Sequence, residues 1–385
     1  MPANPDHSTD TIPLTSQGWN WSLADAKTYV QSYGMLEIGQ MYKTTDGKTH
    51  LVIDIPAGVP SSELTYYVRY TQSVTRGVTV DWGDGNSETF TGTSATNRSH
   101  TYSAPGTYDI TLDVTSGNLR FVGSSSQAIY GATSNYYNRS RLKLARIGLG
   151  VTYIGDYCFY YCYTLKSITL PSNVTTISQY AFSYCSSLAG CLTVPSGVSS
   201  AGVHSIERCG CLTSISLPKS LERISGYNFQ YDYALKRINL NGITVDIGTY
   251  AFRACYGLEQ VKMPTTITKE FETNVFLDCY SLKEIPIPSG VTAIPTGFAQ
   301  NCCSAKSITI PATVTSIAAS AFSNCYSAAY IRLYPTTPPS LSNANAFSGI
   351  PTDVKFIVPK ASKSTYQGAS IWSTYSSRII GDDEV

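Results

Sequence analysis

From Leu142 onward, apolar and polar positions along this chain recur every 23 or 24 residues. One unit shows the logic. Leu165, Ile168 and Leu170 sit among polar residues in the alternation of a short strand. Pro171 ends that strand, because proline cannot donate to a ladder. Val174 to Ile177 predicts a second extended piece, Ala181-Phe182 and Cys185 close the turn inward, and Leu188 begins again. The aromatic anchor is read at Phe159, Phe182, Phe229, Phe252, Phe276, Phe298, Phe322 and Phe347, with Ile206 on the vacant beat. A thiol follows at Cys162, Cys185, Cys209, Cys255, Cys279, Cys302 and Cys325, and Asp232 takes that slot once. No single unit can bury this set, so stacked units must share one continuous core, with parallel strands along one side.

The expected fold is therefore mainly β: a solenoid of about eight 23-residue repeats over residues 142–349. The motif Leu-x-x-Ile-x-Leu-Pro-x-x-Val-x-x-Ile-x-x-x-Ala-Phe-x-x-Cys resembles the BspA-type leucine-rich repeats. That resemblance covers about 210 residues. It implies a non-catalytic bacterial surface or secreted protein that binds host proteins, glycans or other cells.

Upstream, Val78-Thr79-Val80-Asp81-Trp82-Gly83-Asp84-Gly85, His100-Thr101-Tyr102 and Pro105-Gly106-Thr107-Tyr108 resemble the PKD domain, an immunoglobulin-like β-sandwich. It is placed at residues 48–117. Asp84-Gly85 and Pro105-Gly106 read as turns, and Tyr108, Ile110 and Leu112 as one face of a strand. Residues 1–47 read as a polar arm with a short helix from Ala24 to Tyr33, and Trp19 and Trp21 are expected to pack on the sandwich. Residues 118–141 are the expected junction and solenoid cap. Residues 350–385 form the expected C-terminal cap, with a last strand at Val354–Val358 and Trp372 over the open end.

Composition narrows the function. Lys plus Arg is 27 against 26 for Asp plus Glu, which argues against a nucleic-acid partner. No apolar run is long enough to insert in a membrane as a helix. The opening residues, Met1-Pro2-Ala3-Asn4-Pro5-Asp6-His7, have neither the basic start nor the apolar stretch of a secretion leader. Either a leader has been removed or the protein leaves the cell without one, as a bacteriophage structural protein does at lysis.

The interior thiols share one slot and point the same way, a poor geometry for bridging, and are expected to be free. Cys158, Cys191, Cys211 and Cys303 lie off that slot and their redox state stays open. The four histidines are scattered and no Cys-x-x-Cys pair exists, so no metal or cofactor is expected. Asp81 and Asp84 are expected to cap turns, with a calcium site as the rival. His100 is expected to pack in the sandwich. No catalytic motif is found, and the chain is not expected to be an enzyme.

Tyrosine is the informative excess, at 29 residues. One series precedes the Ala-Phe step: Tyr157, Tyr180, Tyr227 and Tyr250. A second precedes the thiol: Tyr161, Tyr184 and Tyr231, with Arg208, Asn301 and Asn324 in other units. A third follows it: Tyr163, Tyr233, Tyr256, Tyr280 and Tyr326. Neighbours of inward residues should face outward and form stripes, with the rigid rings and adaptable polar groups of a paratope. The competing reading is that they only cover the turns, edge to face. Three functions follow: an adhesion or recognition protein binding a host or bacterial surface protein or glycan, a phage virion-associated host-recognition protein, or a spacer without ligand. The oligomeric state is left open.

Overall fold

A computed structural model describes residues 46–72, 77–94, 96–114, 119–121, 136–243, 246–264, 267 and 270–385. The chain divides into a unit over Met1–Lys48, nearly all outside the described residues, and a unit over Thr49–Val385. The expected helix at Ala24–Tyr33, with Trp19 and Trp21, lies outside the described residues.

The second unit opens with seven strands: β1 (Thr49–Ile55), β2 (Thr65–Gln72), β3 (Val78–Asp81), β4 (Ser87–Phe90), β5 (Thr96–Thr101), β6 (Gly106–Asp113) and β7 (Leu119–Phe121). Antiparallel pairing orders them β4-β3-β6-β1 in one sheet and β5-β2-β7 in another. Alternation puts Tyr66, Val68 and Tyr70 of β2 inside, with Leu51, Ile53, Val80, Ile110 and Leu112. Trp82 is fully buried, and its carbonyl accepts a hydrogen bond from the Tyr102 phenol at 2.8 Å.

Both sheets run on into the solenoid. β8 (Leu142–Arg146) pairs antiparallel with β1, Leu51 opposite Ala145. β9 (Val151–Ile154) pairs parallel with β7, Arg120 opposite Tyr153. The solenoid's first edges, which would otherwise expose unpaired backbone groups, are thus closed by β1 and β7. Within the expected junction at 118–141, residues 122–135 lie outside the described residues.

Most coils supply two short parallel strands. The first ladder runs Gly190–Thr193, Leu212–Ser216, Arg237–Asn239 and Gln260–Lys262. The second runs through Thr176–Ile177, Ser200–Ala201, Arg223–Ile224 and Asp246–Ile247. Among the described residues the first ladder breaks after Lys262, where Pro286 and Pro288 remove two donors from the next coil. A groove of about 670 Å³ opens there, lined by Lys262, Met263, Glu284, Ile285 and Pro286 among others. The ladder resumes at Ser307–Ile310 and Tyr330–Leu333.

Inside, the phenylalanines stack coil on coil: Phe159 on Phe182 at 5.4 Å, Phe229 on Phe252 at 5.2 Å and Phe322 on Phe347 at 5.5 Å. Phe298 departs from the expected anchor slot. The Cys325 thiol, which in this ladder reaches the previous anchor's carbonyl, donates to Ala299. Ala299 therefore holds the slot, and Phe298 lies one place earlier, edge-on to Phe276 and Phe322. Residue type rather than spacing misplaced it: Ala299 is the residue three places before Cys302, and this coil has exchanged the order of its Ala-Phe pair.

The final rung also differs from expectation. Lys355–Val358 pairs with Tyr330–Leu333, but Ile379–Gly381 pairs with it in turn and ends the sheet. Trp372 covers this end: it is buried against Phe347 and Phe356, and its indole N–H donates to the Pro339 carbonyl at 2.7 Å.

Candidate functional site

The turn that closes each coil is built on two left-handed backbone positions four residues apart. In the first coil they are Tyr157 (φ 55°) and Tyr161 (φ 62°), flanking the buried Phe159. The amides of Tyr157, Phe159 and Tyr161 then all point along the axis and donate to Gln179, Ala181 and Ser183 of the next coil. The same alternation recurs from Tyr180, Phe182 and Tyr184 to Val203, Ser205 and Glu207. Left-handed φ is what the ladder demands, whatever the side chain.

Two of the tyrosine series occupy these positions. The first forms a row of stacked rings with His204 as its middle rung. Tyr157–Tyr180, Tyr180–His204, His204–Tyr227 and Tyr227–Tyr250 lie 4.7, 4.5, 4.5 and 5.2 Å apart, all stacked. The second brings Tyr161 within 4.3 Å of Tyr184, and sets the Arg208 guanidinium between Tyr184 and Tyr231, at 5.0 and 4.0 Å. These rings are half-buried. Their packing along each row is largely face to face, unlike the edge-to-face cover of the competing reading.

The third series is the exposed one. Tyr233 stacks on Tyr256 at 5.0 Å and Tyr256 on Tyr280 at 4.9 Å. Tyr326 lies two coils further on, and Tyr163 at the opposite end touches Tyr161. Tyr233, Tyr256, Tyr280 and Tyr326 are 44%, 39%, 42% and 58% exposed. Tyr231 lies 6.1 Å from Tyr233, so the second and third rows adjoin. Burial raises the Tyr180, Tyr184, Tyr256 and Tyr280 phenols above their usual range, leaving them neutral donors.

Sequence reasoning missed three contributors. Tyr160 bridges the first two rows, 5.2 Å from Tyr157 and 4.3 Å from Tyr161. Arg253 lies over Tyr231 and Tyr250. His204 holds the slot of Tyr180 and hydrogen-bonds Glu207 through Nδ1 at 2.8 Å. His204 shares its register position with Tyr180 and Tyr227, so aligning slots by position rather than by residue type would have found it. Tyr160 and Arg253 fall on a position held by Ser183 and Gln230 in neighbouring coils, and no signal in the sequence marks them.

Beneath the rows, the thiols are donors as well as filler. Cys185, Cys209, Cys255, Cys279 and Cys302 reach the carbonyls of Phe159, Phe182, Phe229, Phe252 and Phe276 at 3.0–3.4 Å. Burial holds these five thiols far above their usual pKa, and Cys325 is pushed up to about 12. All eleven cysteines are free; Cys158 is buried, Cys191 and Cys211 are exposed, and Cys303 is intermediate. Asp232 inverts the pattern, accepting from the Cys209 amide at 2.8 Å, and its burial raises its carboxyl well above the usual range.

In the N-terminal strands, Asp81 and Asp84 accept from the Gly83 and Asn86 amides at 2.9 and 3.1 Å, the geometry of turn caps. His100 stacks on Trp82 and contacts Asp84 at 2.7 Å. Among the described residues no group of three or more His, Cys, Asp or Glu side chains is placed to hold a metal ion. Nor is any described helix long and apolar enough to cross a membrane.

A family model for the BspA type leucine rich repeat region matches residues 131–255 and 203–329, with six copies of the repeat. Three solved structures are similar. A leucine rich cell surface protein from Faecalibacterium prausnitzii A2-165 is 28% identical over 56% of this chain, with a TM-score of 0.35. This chain spans 64% of that protein's length. A leucine-rich repeat protein from Bacteroides ovatus is 21% identical, covering 73% of this chain and 90% of its own, at a TM-score of 0.31. The leucine rich repeat protein of T. pallidum is 24% identical, covering 43% of this chain and 83% of its own, at 0.34. No curated protein matches the chain.

Proposed function

Because the chain belongs to the BspA type leucine rich repeat family, we propose that it is a non-enzymatic recognition protein of bacterial origin. It works outside the cell and binds a surface protein or glycan through its tyrosine rows. One observation carries this reading: the residue types at the left-handed positions. Such φ values are cheapest for Gly, Asn and Asp, and other side chains lose roughly 1–2 kcal/mol there. The later coils use the cheap types, as in Asn274, Gly297, Asp278, Asn301 and Asn324. The earlier coils instead place Tyr157, Tyr161, Tyr180, Tyr184, Arg208, Tyr227, Tyr231 and Tyr250 at the same backbone angles. The fold accepts small polar residues at these sites, so the rings serve the surface. Rigid aromatics beside adaptable polar groups are the chemistry of a binding face.

In this reading the segment at 48–117 is a PKD-like positioning module, 118–141 its junction, 142–349 the repeats and 350–385 the cap. The test is binding of labelled protein to intact bacterial strains and to arrayed host matrix proteins and glycans. A triple alanine variant at Tyr184, Tyr231 and Tyr256 is compared with wild type. Binding lost in the variant supports the reading. Binding unchanged moves the site off the tyrosine rows, and binding absent in both leaves the solenoid as a spacer.

A further inference from the structure

The exposed tyrosine row lacks its tyrosine at Ser186, Gly210 and Cys303, and of these only Cys303 has a tyrosine on both sides. After Tyr233, Tyr256 and Tyr280 the next position is Cys303, and the one beyond is Tyr326. Where the inner rows lack a single tyrosine between two others, the chain fills the place itself: the His204 imidazole between Tyr180 and Tyr227, the Arg208 guanidinium between Tyr184 and Tyr231. Cys303 is too short to do so. Its thiol lies down on the coil, 3.3 Å from the Asn301 carbonyl and 3.6 Å from that of Asn324. Tyr326, beyond the vacancy, is the most exposed of the tyrosines in this row.

We propose that the gap over Cys303, between Tyr280 and Tyr326, is a subsite for one pyranose ring of a neutral glycan. This rests on the recognition reading above and names its ligand class. Three features of the gap select a sugar. First, rungs follow the coil spacing, so a two-step gap is roughly 10 Å between ring positions. The stacked tyrosines of this row lie 4.9–5.0 Å apart, so the gap admits one ring, and a pyranose chair presents C–H groups to the tyrosine on either side. Second, a polar row runs beside it. The Asn301 amide donates to Asp278 at 2.6 Å and the Asn324 amide to Asn301 at 2.8 Å, leaving amide and carboxylate atoms for sugar hydroxyls. Third, the floor is uncharged. Burial first, and then the Asp278 carboxylate, raise the Cys303 thiol above its usual pKa. The same carboxylate disfavours an acidic sugar.

The experiment uses the full chain and immobilised neutral oligosaccharides built from glucose, galactose, mannose or N-acetylglucosamine. Four proteins are compared: wild type, Cys191→Ala, Cys303→Tyr and Tyr326→Ala. Cys191→Ala alters an exposed thiol outside the tyrosine rows and should bind within threefold of wild type. Cys303→Tyr supplies the missing rung from within and should weaken binding at least tenfold, with an unchanged or higher denaturation midpoint. Tyr326→Ala removes a wall and should weaken binding similarly. If wild type binds an oligosaccharide and Cys303→Tyr binds it equally well, the subsite is wrong and the recognition reading stands. If wild type binds only polypeptides, the sugar assignment is overturned. If it binds neither cells nor any arrayed ligand, the recognition reading falls with it.

Discussion

The guanidinium carbon of Arg208 lies 4.0 Å from the centre of the Tyr231 ring, and 5.0 Å from that of Tyr184 one coil earlier. A cation here does the work of a ring: it fills one rung of an aromatic row whose spacing the backbone has already set. Cation–π contact contributes about 0.5–1 kcal/mol at exposed sites and more when desolvated. Arg208→Ala should therefore lower stability by about 1 kcal/mol. Arg208→Tyr, which restores a ring, should stay within about 0.5 kcal/mol of wild type. Urea denaturation of the three proteins checks this. An alanine variant as stable as wild type would show that the row adds nothing to folding.

The left-handed positions predict opposite effects for glycine and alanine. Ser320 holds φ 56° in the slot that Gly297 holds at 61° one coil earlier. Ser320→Gly should be neutral or stabilising. Gly297→Ala should cost about 1–2 kcal/mol from φ alone, and a methyl group there would meet the Asn274 side-chain oxygen at 2.1 Å. Paired thermal melts test the contrast, and equal melting points for the two variants would refute it.

The thiol ladder predicts both reactivity and stability. Cys191 and Cys211 are exposed and should react with a thiol reagent in the folded protein, with Cys303 slower. The buried thiols should react only on unfolding, and desolvation holds those of Cys255 and Cys279 protonated. Cys255→Ala removes the donor to the Phe229 carbonyl, a bond of 3.0 Å, and should cost about 1–3 kcal/mol. Cys255→Ser keeps a donor and should lose less. Mass spectrometry of labelled peptides locates the reactive sites.

Asp232 predicts a pH dependence. Burial raises its folded-state pKa above the unfolded value. The folded state therefore binds the proton more tightly than the unfolded one. Its contribution is fully present below the unfolded carboxylate pKa and is lost as pH rises toward the folded value. Asp232→Asn removes that loss while leaving an acceptor for the Cys209 amide, a 2.8 Å bond in wild type. The variant should gain stability over wild type as pH climbs from 4 to 8. Denaturation midpoints across that range decide it; a constant difference between the two proteins would exclude a titrating Asp232.

Much of the fold was legible in the chain because a solenoid's core is written as a local, repeated pattern. Leu165, Ile168, Phe182 and Cys185 are buried in the structure as their spacing requires. The prolines punctuate the first strand, and Trp372 closes the end where the beat stops. The binding face was legible only as a list of tyrosines. Their spacing puts Tyr180 and Tyr326 in different series, but only the structure shows that Tyr180 is half-buried in a ring stack and Tyr326 58% exposed beyond a vacant rung.

What the sequence determined by itself was the period, the inward residues and the two-strand coil. These depend on burying apolar side chains at fixed intervals, a constraint each unit carries alone. What only the tertiary structure decided was how units meet. The pairing of β1 with β8 and of β7 with β9 joins segments far apart in the chain. The shift of Phe298 out of its slot, already visible as a four-residue step to Cys302, is fixed by hydrogen bonds to the neighbouring coils. The left-handed tyrosines run against local backbone preference and are held there by amides donated along the axis. Those contacts cross from one coil to the next, and they exist only once the coils have stacked.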